Sequence, residues 1–153
     1  MQLELRPITT LDEARALGPR LDAAAAAFQA QYSDEPYPEG SAERFLERAL
    51  AEPETVLLAA FRPAAGEAVG LCLTGAHVEP LSGERIPMVL VLWVDADLRH
   101  RGVARALVER ARSLLEGRGI RRLAARAVHN DDALISMGER WGFVRAWEWM
   151  LYE

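Results

Sequence analysis

An uninterrupted apolar run, Met88-Val89-Leu90-Val91-Leu92-Trp93-Val94, is followed after a short polar loop by a segment of helical period. In that segment Val103, Leu107, Ala111, Leu114 and Leu115 recur on one face, while Arg105, Glu109, Arg112 and Glu116 fall on the other. A strand that is apolar at every position must be covered on both faces, and an amphipathic helix directly after it supplies one cover. This pairing predicts an α/β chain in which helices pack on a central sheet.

The remaining segments extend that expectation. Leu3 and Leu5 alternate with Glu4 and Arg6 and predict a half-buried strand ending at Ile8. Thr9 or Thr10 caps a helix from about Leu11, and Pro19 is placed in the first turn of a second helix running through the alanines to Phe28. Residues 32–40, with Pro36 and Pro38, read as a loop, and Ser41 opens a third helix. Residues 55–61 and 68–76 read as a strand hairpin. After the 103–115 helix, closed by Gly117 and Gly119, a strand is expected over 122–128, a helix over 131–141 and a last strand over 143–152. Its Trp147, Trp149 and Tyr152 suit either closing the sheet or pairing with a second copy as a homodimer. One domain over residues 1–153 is expected.

Composition excludes several function classes. Half of the 153 residues are apolar and 27% are charged, so the chain is expected to fold. The net charge is −5, yet all 18 basic residues are arginine, which removes lysine Schiff-base chemistry. Codon bias explains the arginine for lysine; its distribution is a separate matter. Residues 99–126 carry nine of the 18 arginines against only Glu109 and Glu116. Long nucleic acid is therefore not expected as a partner, whereas a compact phosphorylated ligand fits. Cys72 is the single cysteine, and with scattered His77, His100 and His129 it assembles no metal site of familiar spacing. The N-terminus lacks the apolar stretch of a signal peptide, and the longest apolar stretch is too short to span a bilayer. A cytoplasmic protein without membrane contact is expected.

The informative stretch is Val94-Asp95-Ala96-Asp97-Leu98-Arg99-His100-Arg101-Gly102-Val103-Ala104-Arg105. A strand ends, a loop turns, and a helix starts at a glycine among arginines. The first helical turn leaves N–H groups unpaired, the dipole favours negative charge, and Gly102 lets backbone approach a ligand. Arg99, Arg101 and Arg105 add guanidinium contacts. The plainer reading is a helix start that needs a glycine and is basic by coincidence.

At this point the sequence resembles the GNAT superfamily of acyl-CoA-dependent N-acyltransferases. Arg99, Gly102 and Ala104 occupy the positions of that family's Arg/Gln-x-x-Gly-x-Gly/Ala motif, with Ala96 where a proline is usual. Glu139-Arg140-Trp141-Gly142-Phe143 resembles the family's closing motif, and Asn130 stands about where the family often has asparagine. The resemblance implies a mixed, mostly antiparallel sheet splayed at the coenzyme A site and covered by helices. It implies acetyl-CoA as acyl donor, with pyrophosphate on the amides of His100, Arg101, Gly102, Val103 and Ala104 and pantetheine beside Leu92, Trp93 and Val94. Arg99 to Arg105 would reach phosphate oxygens. A backbone N–H of Leu92 or Val94 would serve as the oxyanion donor when a primary amine attacks the thioester.

The resemblance also marks a departure. Gly138 holds the position where the family commonly has the tyrosine that protonates the thiolate. Either another group or water supplies that proton, or the chain is a catalytically silent acyl-CoA-binding module. For a base, Glu35 and Glu39 lie in the early loop with Asp34, Tyr32 and Tyr37, and His129 follows a strand. Solvated loop acids and a helix-entry histidine beside an Asn130 cap are the plainer readings. The tryptophans fit an acceptor pocket or simple packing. The resemblance implies a small-molecule or peptide amine as acceptor; Asp34, Glu35 and Glu39 suit a cationic one, and equally an ordinary solvated surface. A nucleotide-binding domain is a weaker alternative, lacking a Gly-Lys-Ser/Thr loop and a dinucleotide glycine pattern.

Overall fold

The computed structural model describes residues 2–63, 66–146 and 150. Its elements are β1 (Glu4–Pro7), α1 (Leu11–Gln29), α2 (Ser41–Ala49), β2 (Leu57–Phe61), β3 (Ala68–Val78), β4 (Arg85–Val94), a 3-10 turn (Ala96–Leu98), α3 (Val103–Gly117), β5 (Ala124–Ala125) and α4 (Asp132–Arg140). The strands form one mixed sheet in the order β1-β2-β3-β4-β5, antiparallel except for the β4–β5 pair. The α/β class read from the apolar run and its helix is the class observed.

Three boundaries differ from expectation. The two early helices are one, α1, with Pro19 inside it. Proline disfavours a helical residue before it by clashing with that residue's N–H and Cβ, and here that residue is Gly18, whose missing Cβ relieves part of the clash. The strand expected over 122–128 pairs only at Ala124–Ala125. The strand expected over 143–152 is absent at 143–146 and 150, while Trp147, Trp149 and Tyr152 lie outside the described residues. Thr10 caps α1 as expected, its Oγ1 accepting the Glu13 N–H at 3.4 Å. The start of α2 is capped from a distance: Asp22 on α1 accepts the N–H groups of Gly40 (2.9 Å) and Ala42 (2.8 Å) and the Tyr37 hydroxyl (2.8 Å).

The sheet separates two apolar layers. On one face Leu58, Cys72 and Val94 pack against Leu107, Ala111 and Leu115 of α3. On the other, Leu57, Leu71 and Val91 pack against Leu17 and Leu21 of α1 and Leu46 of α2. The first turns of α3 pack closely on the sheet at Gly70, where a Cβ would lie 3.1 Å from Leu107 Cδ1 and 3.4 Å from Val103 Cγ1.

β4 is not a regular strand. Its pairing with β3 runs from Gly70↔Val94 to Leu73↔Val91 and resumes at Thr74↔Val89, leaving Leu90 as a β-bulge. Residues two apart on a regular strand share a face, but Val89 lies in the α3 layer and Val91 in the α1/α2 layer. Gly75 makes room for the extra residue: a Cβ there would stand 2.7 Å from Leu90 Cδ1 and 2.5 Å from Phe45 Cζ. The apolar run gives no sign of this phase change, because every position in it is apolar.

A polar network lies beside the bulge. Thr74 is fully buried; its Oγ1 accepts the Val56 N–H at 2.9 Å and donates to the Glu54 carbonyl at 2.8 Å. The Glu54 side chain, 9% exposed, takes Arg85 Nε at 2.7 Å and Nη2 at 3.1 Å. Hydrogen bonds from Arg85 hold the Glu54 carboxyl below its ordinary pKa. A carboxyl depressed in the folded state stabilises above its unfolded pKa, near 4.3, and that contribution is lost as pH falls through the lower folded value. Arg85→Met is therefore expected to lower stability at pH 7 only modestly, because the Arg85 side chain is 42% exposed and its pairing with Glu54 is screened by solvent. Urea titrations of the two proteins across pH are expected to converge below the ordinary carboxylate range.

Candidate functional site

The open edge of β4 is defined by hydrogen-bond parity. Asp95 N–H donates to the Val69 carbonyl at 2.9 Å, extending the β3–β4 ladder past Val94. In an antiparallel pair the bonding residues alternate, so Trp93 and Val91 also bond to β3. The N–H and C=O groups of Leu92 and Val94 then face the other edge. There β5 pairs only at Met88↔Ala124 and Val89↔Ala125, so beyond the bulge this second edge of β4 has no paired strand among the described residues. The Leu92 side chain packs into the α3 layer; Trp93 packs into the α1/α2 layer, with the Arg20 guanidinium 5.2 Å from its ring centroid.

The loop after this edge is built to expose amides. Leu98, 2% exposed, anchors it to the core. Beyond Leu98 the backbone turns through left-handed conformations at His100 (φ 62°) and Gly102 (φ 81°), and Gly102 begins α3 with no side-chain cap. The first regular bond of α3 runs from the Ala106 N–H to the Gly102 carbonyl, so the N–H groups of Val103, Ala104 and Arg105 ahead of it have no partner inside the helix. Successive outward N–H groups at a helix start form an anion-binding concavity. A Cβ at Gly102 would meet nothing within 4 Å, so the approach is open.

The arginines divide by role. Arg99 Nε donates to the Val94 carbonyl at 3.2 Å, tying the loop to the end of β4. Arg105 pairs with Glu109 at 2.7 Å on the exposed face of α3. Arg101 is exposed and has no polar partner among the described residues. Asp97 is held by Arg62 at 2.5 Å, which engages its charge.

Two clefts open elsewhere. The larger, about 370 Å³, is lined by Arg6, Glu13, Leu17, Arg20, Phe61 and Glu67 among others. Its charges already pair, Arg6 with Glu13 at 3.8 Å and Arg20 with Glu67 at 3.7 Å. The β4–α3 junction, with unpaired amides and an open strand edge, is the better site for an anion.

The other expected residues are more scattered. Glu35 and Glu39 are exposed, and among the described residues their carboxylates pair with nothing. Their loop is fixed by backbone contacts, Gln29 Nε2 to the Glu35 carbonyl at 2.9 Å and Arg44 Nη1 to the Glu39 carbonyl at 3.0 Å. Burial and the Asp22 contact push the Tyr37 hydroxyl up to about 12. His129 and Asn130 are exposed. Asn130 is not the cap of α4; Asp131 is, accepting the Leu134 N–H at 2.9 Å. A Cβ at Gly138 would have Phe143 Cβ as its nearest neighbour, at 3.9 Å, so packing does not demand a glycine there. The residues that sequence reasoning missed are Leu90, Gly75 and Phe45; a glycine inside a strand pattern was the available signal.

Residues 21–143 match the model of the acetyltransferase (GNAT) family. The chain belongs to the GNAT acetyltransferase family. Solved structures similar to this GNAT chain include an aminoglycoside N-acetyltransferase in complex with CoA, at 14% identity and a TM-score of 0.72 over 99% of this chain and 94% of the other. A ribosomal-protein-alanine N-acetyltransferase from Brucella melitensis biovar Abortus 2308 is 21% identical, with a TM-score of 0.65 over 99% of each chain. An aminoglycoside acetyltransferase from an uncultured soil metagenomic sample is 20% identical, with a TM-score of 0.67 over 100% of this chain and 99% of the other. At these identities the likeness carries the fold. No curated protein matches the sequence. Among the described residues of the GNAT chain, no helix is long and apolar enough to cross a membrane, and no cluster of three or more His, Cys, Asp or Glu side chains could hold a metal ion.

Proposed function

We propose that this chain is a single-domain, cytoplasmic N-acetyltransferase that passes the acetyl group of acetyl-CoA to a primary amine. The observation that carries the reading is the meeting of two backbone surfaces at one end of β4: the uncapped first turn of α3 at Gly102, and the open edge at Leu92 and Val94, where the Val94 carbonyl is engaged by Arg99. The first surface suits the pyrophosphate, with Arg101 as the guanidinium left for phosphate oxygens. The second suits pantetheine, which would take the place of a missing strand.

On this reading an N–H of Leu92 or Val94 holds the thioester carbonyl and stabilises the oxyanion formed as the amine nitrogen attacks. The carbon–sulfur bond then breaks, the thiolate leaves, and the amine loses a proton to Glu35, Glu39, His129 or water. With glycine at 138, and with Tyr37 pushed to about 12 and donating to Asp22, the thiolate takes its proton from solvent. Alignment of amine and thioester on one edge supplies the main rate advantage. The unpaired carboxylates of the 30–40 loop support a cationic small-molecule amine as acceptor.

A second reading, an acyl-CoA-binding module without catalysis, is favoured by Gly138 alone. Thiol release from acetyl-CoA across a panel of mono- and polyamines tests the two. Amine-dependent release is expected; saturable binding with no release by any amine would favour the silent module.

A further inference from the structure

We infer that Phe45 is a positioning residue for acyl transfer: with Gly75 and Leu90 it holds the β4 bulge that turns the backbone groups of Leu92 and Val94 into the gap beside β5. The inference rests on the reading of that gap as the thioester site.

The bulge separates two kinds of strand. Before it, Met88 and Val89 pair with β5 as well as lying beside β3; after it, β4 keeps β3 as its one strand neighbour among the described residues. Were Leu90 paired in register and the strand regular, alternation would carry the opposite parity past it, so that Val91 and Trp93 would present their groups to the gap while Leu92 and Val94 bonded to β3. An apolar strand has no polar residue to fix its phase, so something in the packing must hold it.

Convergence at Gly75 provides that hold. Leu90 Cδ1 and Phe45 Cζ both come so close to the backbone that a Cβ at residue 75 would be 2.7 Å from one and 2.5 Å from the other. Leu90 thus enters a slot floored by glycine and walled by the Phe45 ring. Phe45 is well placed to be a wall, since its helix is fixed at its start by Asp22 through Gly40 and Ala42. The same Asp22 carboxylate holds Tyr37 of the loop that carries Glu35 and Glu39. α2 therefore joins the acceptor loop to the acyl end of β4.

The test uses acetyl-CoA labelled with 13C at the thioester carbonyl. Bound to the wild type, its resonance is expected to move downfield as the carbonyl accepts a backbone N–H. Phe45→Ala removes the wall without adding bulk, and it is expected to bind CoA within about threefold of wild type, as for an independent site, while losing most of the downfield shift. Gly75→Ala is expected to do the same; if it does not fold, Phe45→Ala alone decides. Retention of the full shift in Phe45→Ala overturns the inference, as does loss of CoA affinity together with the shift, which would mark a merely structural residue. Failure of the wild type to bind CoA is a different result: it removes the proposed function itself, and the positioning role with it.

Discussion

Replacing Gly102 with glutamate is expected to lower CoA affinity at least ~100-fold, equivalent to about 2.7 kcal/mol, while leaving the fold intact. Gly102 sits at φ 81° and starts α3 without a side-chain cap. A residue with a Cβ pays roughly 1–2 kcal/mol in that conformation, so the loop either strains or relaxes away from the geometry that aligns its amides. The glutamate carboxylate adds a fixed negative charge where the pyrophosphate would sit, and it competes for the same N–H groups. Because a Cβ at 102 has no neighbour within 4 Å, nothing in the core is displaced. Gly102→Ala separates the contributions: it keeps the strain but adds no charge, and an affinity loss within about tenfold is expected. Isothermal titration with CoA, alongside thermal melts of each variant, measures both.

Leu107→Ala is expected to have the opposite profile, a large loss of stability with a site that still assembles. Leu107 is fully buried in α3, and its Cδ1 lies against Gly70 of β3. Deleting its branched end leaves a cavity under the first turns of the helix. Buried leucines cut to alanine typically cost 2–5 kcal/mol, and a rigid sheet on one side and a helix on the other limit collapse, so about 3 kcal/mol is expected. Urea unfolding reads this as a lower midpoint at unchanged slope. Saturating CoA should restore part of the loss, because a ligand that binds only the folded state stabilises it by mass action. Gly102→Glu, by contrast, should gain much less from the same CoA concentration.

Legibility from sequence followed the length scale of the cause. The β4–α3 unit was readable because its determinants are local: an apolar run, one glycine and a helical period within a few turns. Thr10 as a cap was readable for the same reason. Pro19 misled because its effect depends partly on the residue before it, and Gly18 relieves part of the clash that favours ending a helix there. The early cap of α2 was hidden because its carboxylate, Asp22, is contributed from the preceding helix. The Glu54–Arg85 pair joins residues far apart in the chain, and no local pattern announces it. The bulge was invisible for a different reason, since a strand buried on both faces carries no alternation to break. Of the candidate site, the helix start at Gly102 was legible in the residues themselves, whereas the edge at Leu92 and Val94 was expected only through the family resemblance. Neither foresaw that Arg99 would spend its Nε on the Val94 carbonyl, or that Arg105 would turn to Glu109.

The most direct test of the central claim, that one end of β4 and the start of α3 form the acyl-CoA site, is a titration of the 15N-labelled protein with CoA followed by amide resonances. The account predicts saturable downfield displacement of the N–H groups from His100 to Arg105, accompanied by changes at Leu92 and Val94. No saturable change at these amides, or displacement centred instead on the cleft lined by Arg6 and Arg20, would contradict it.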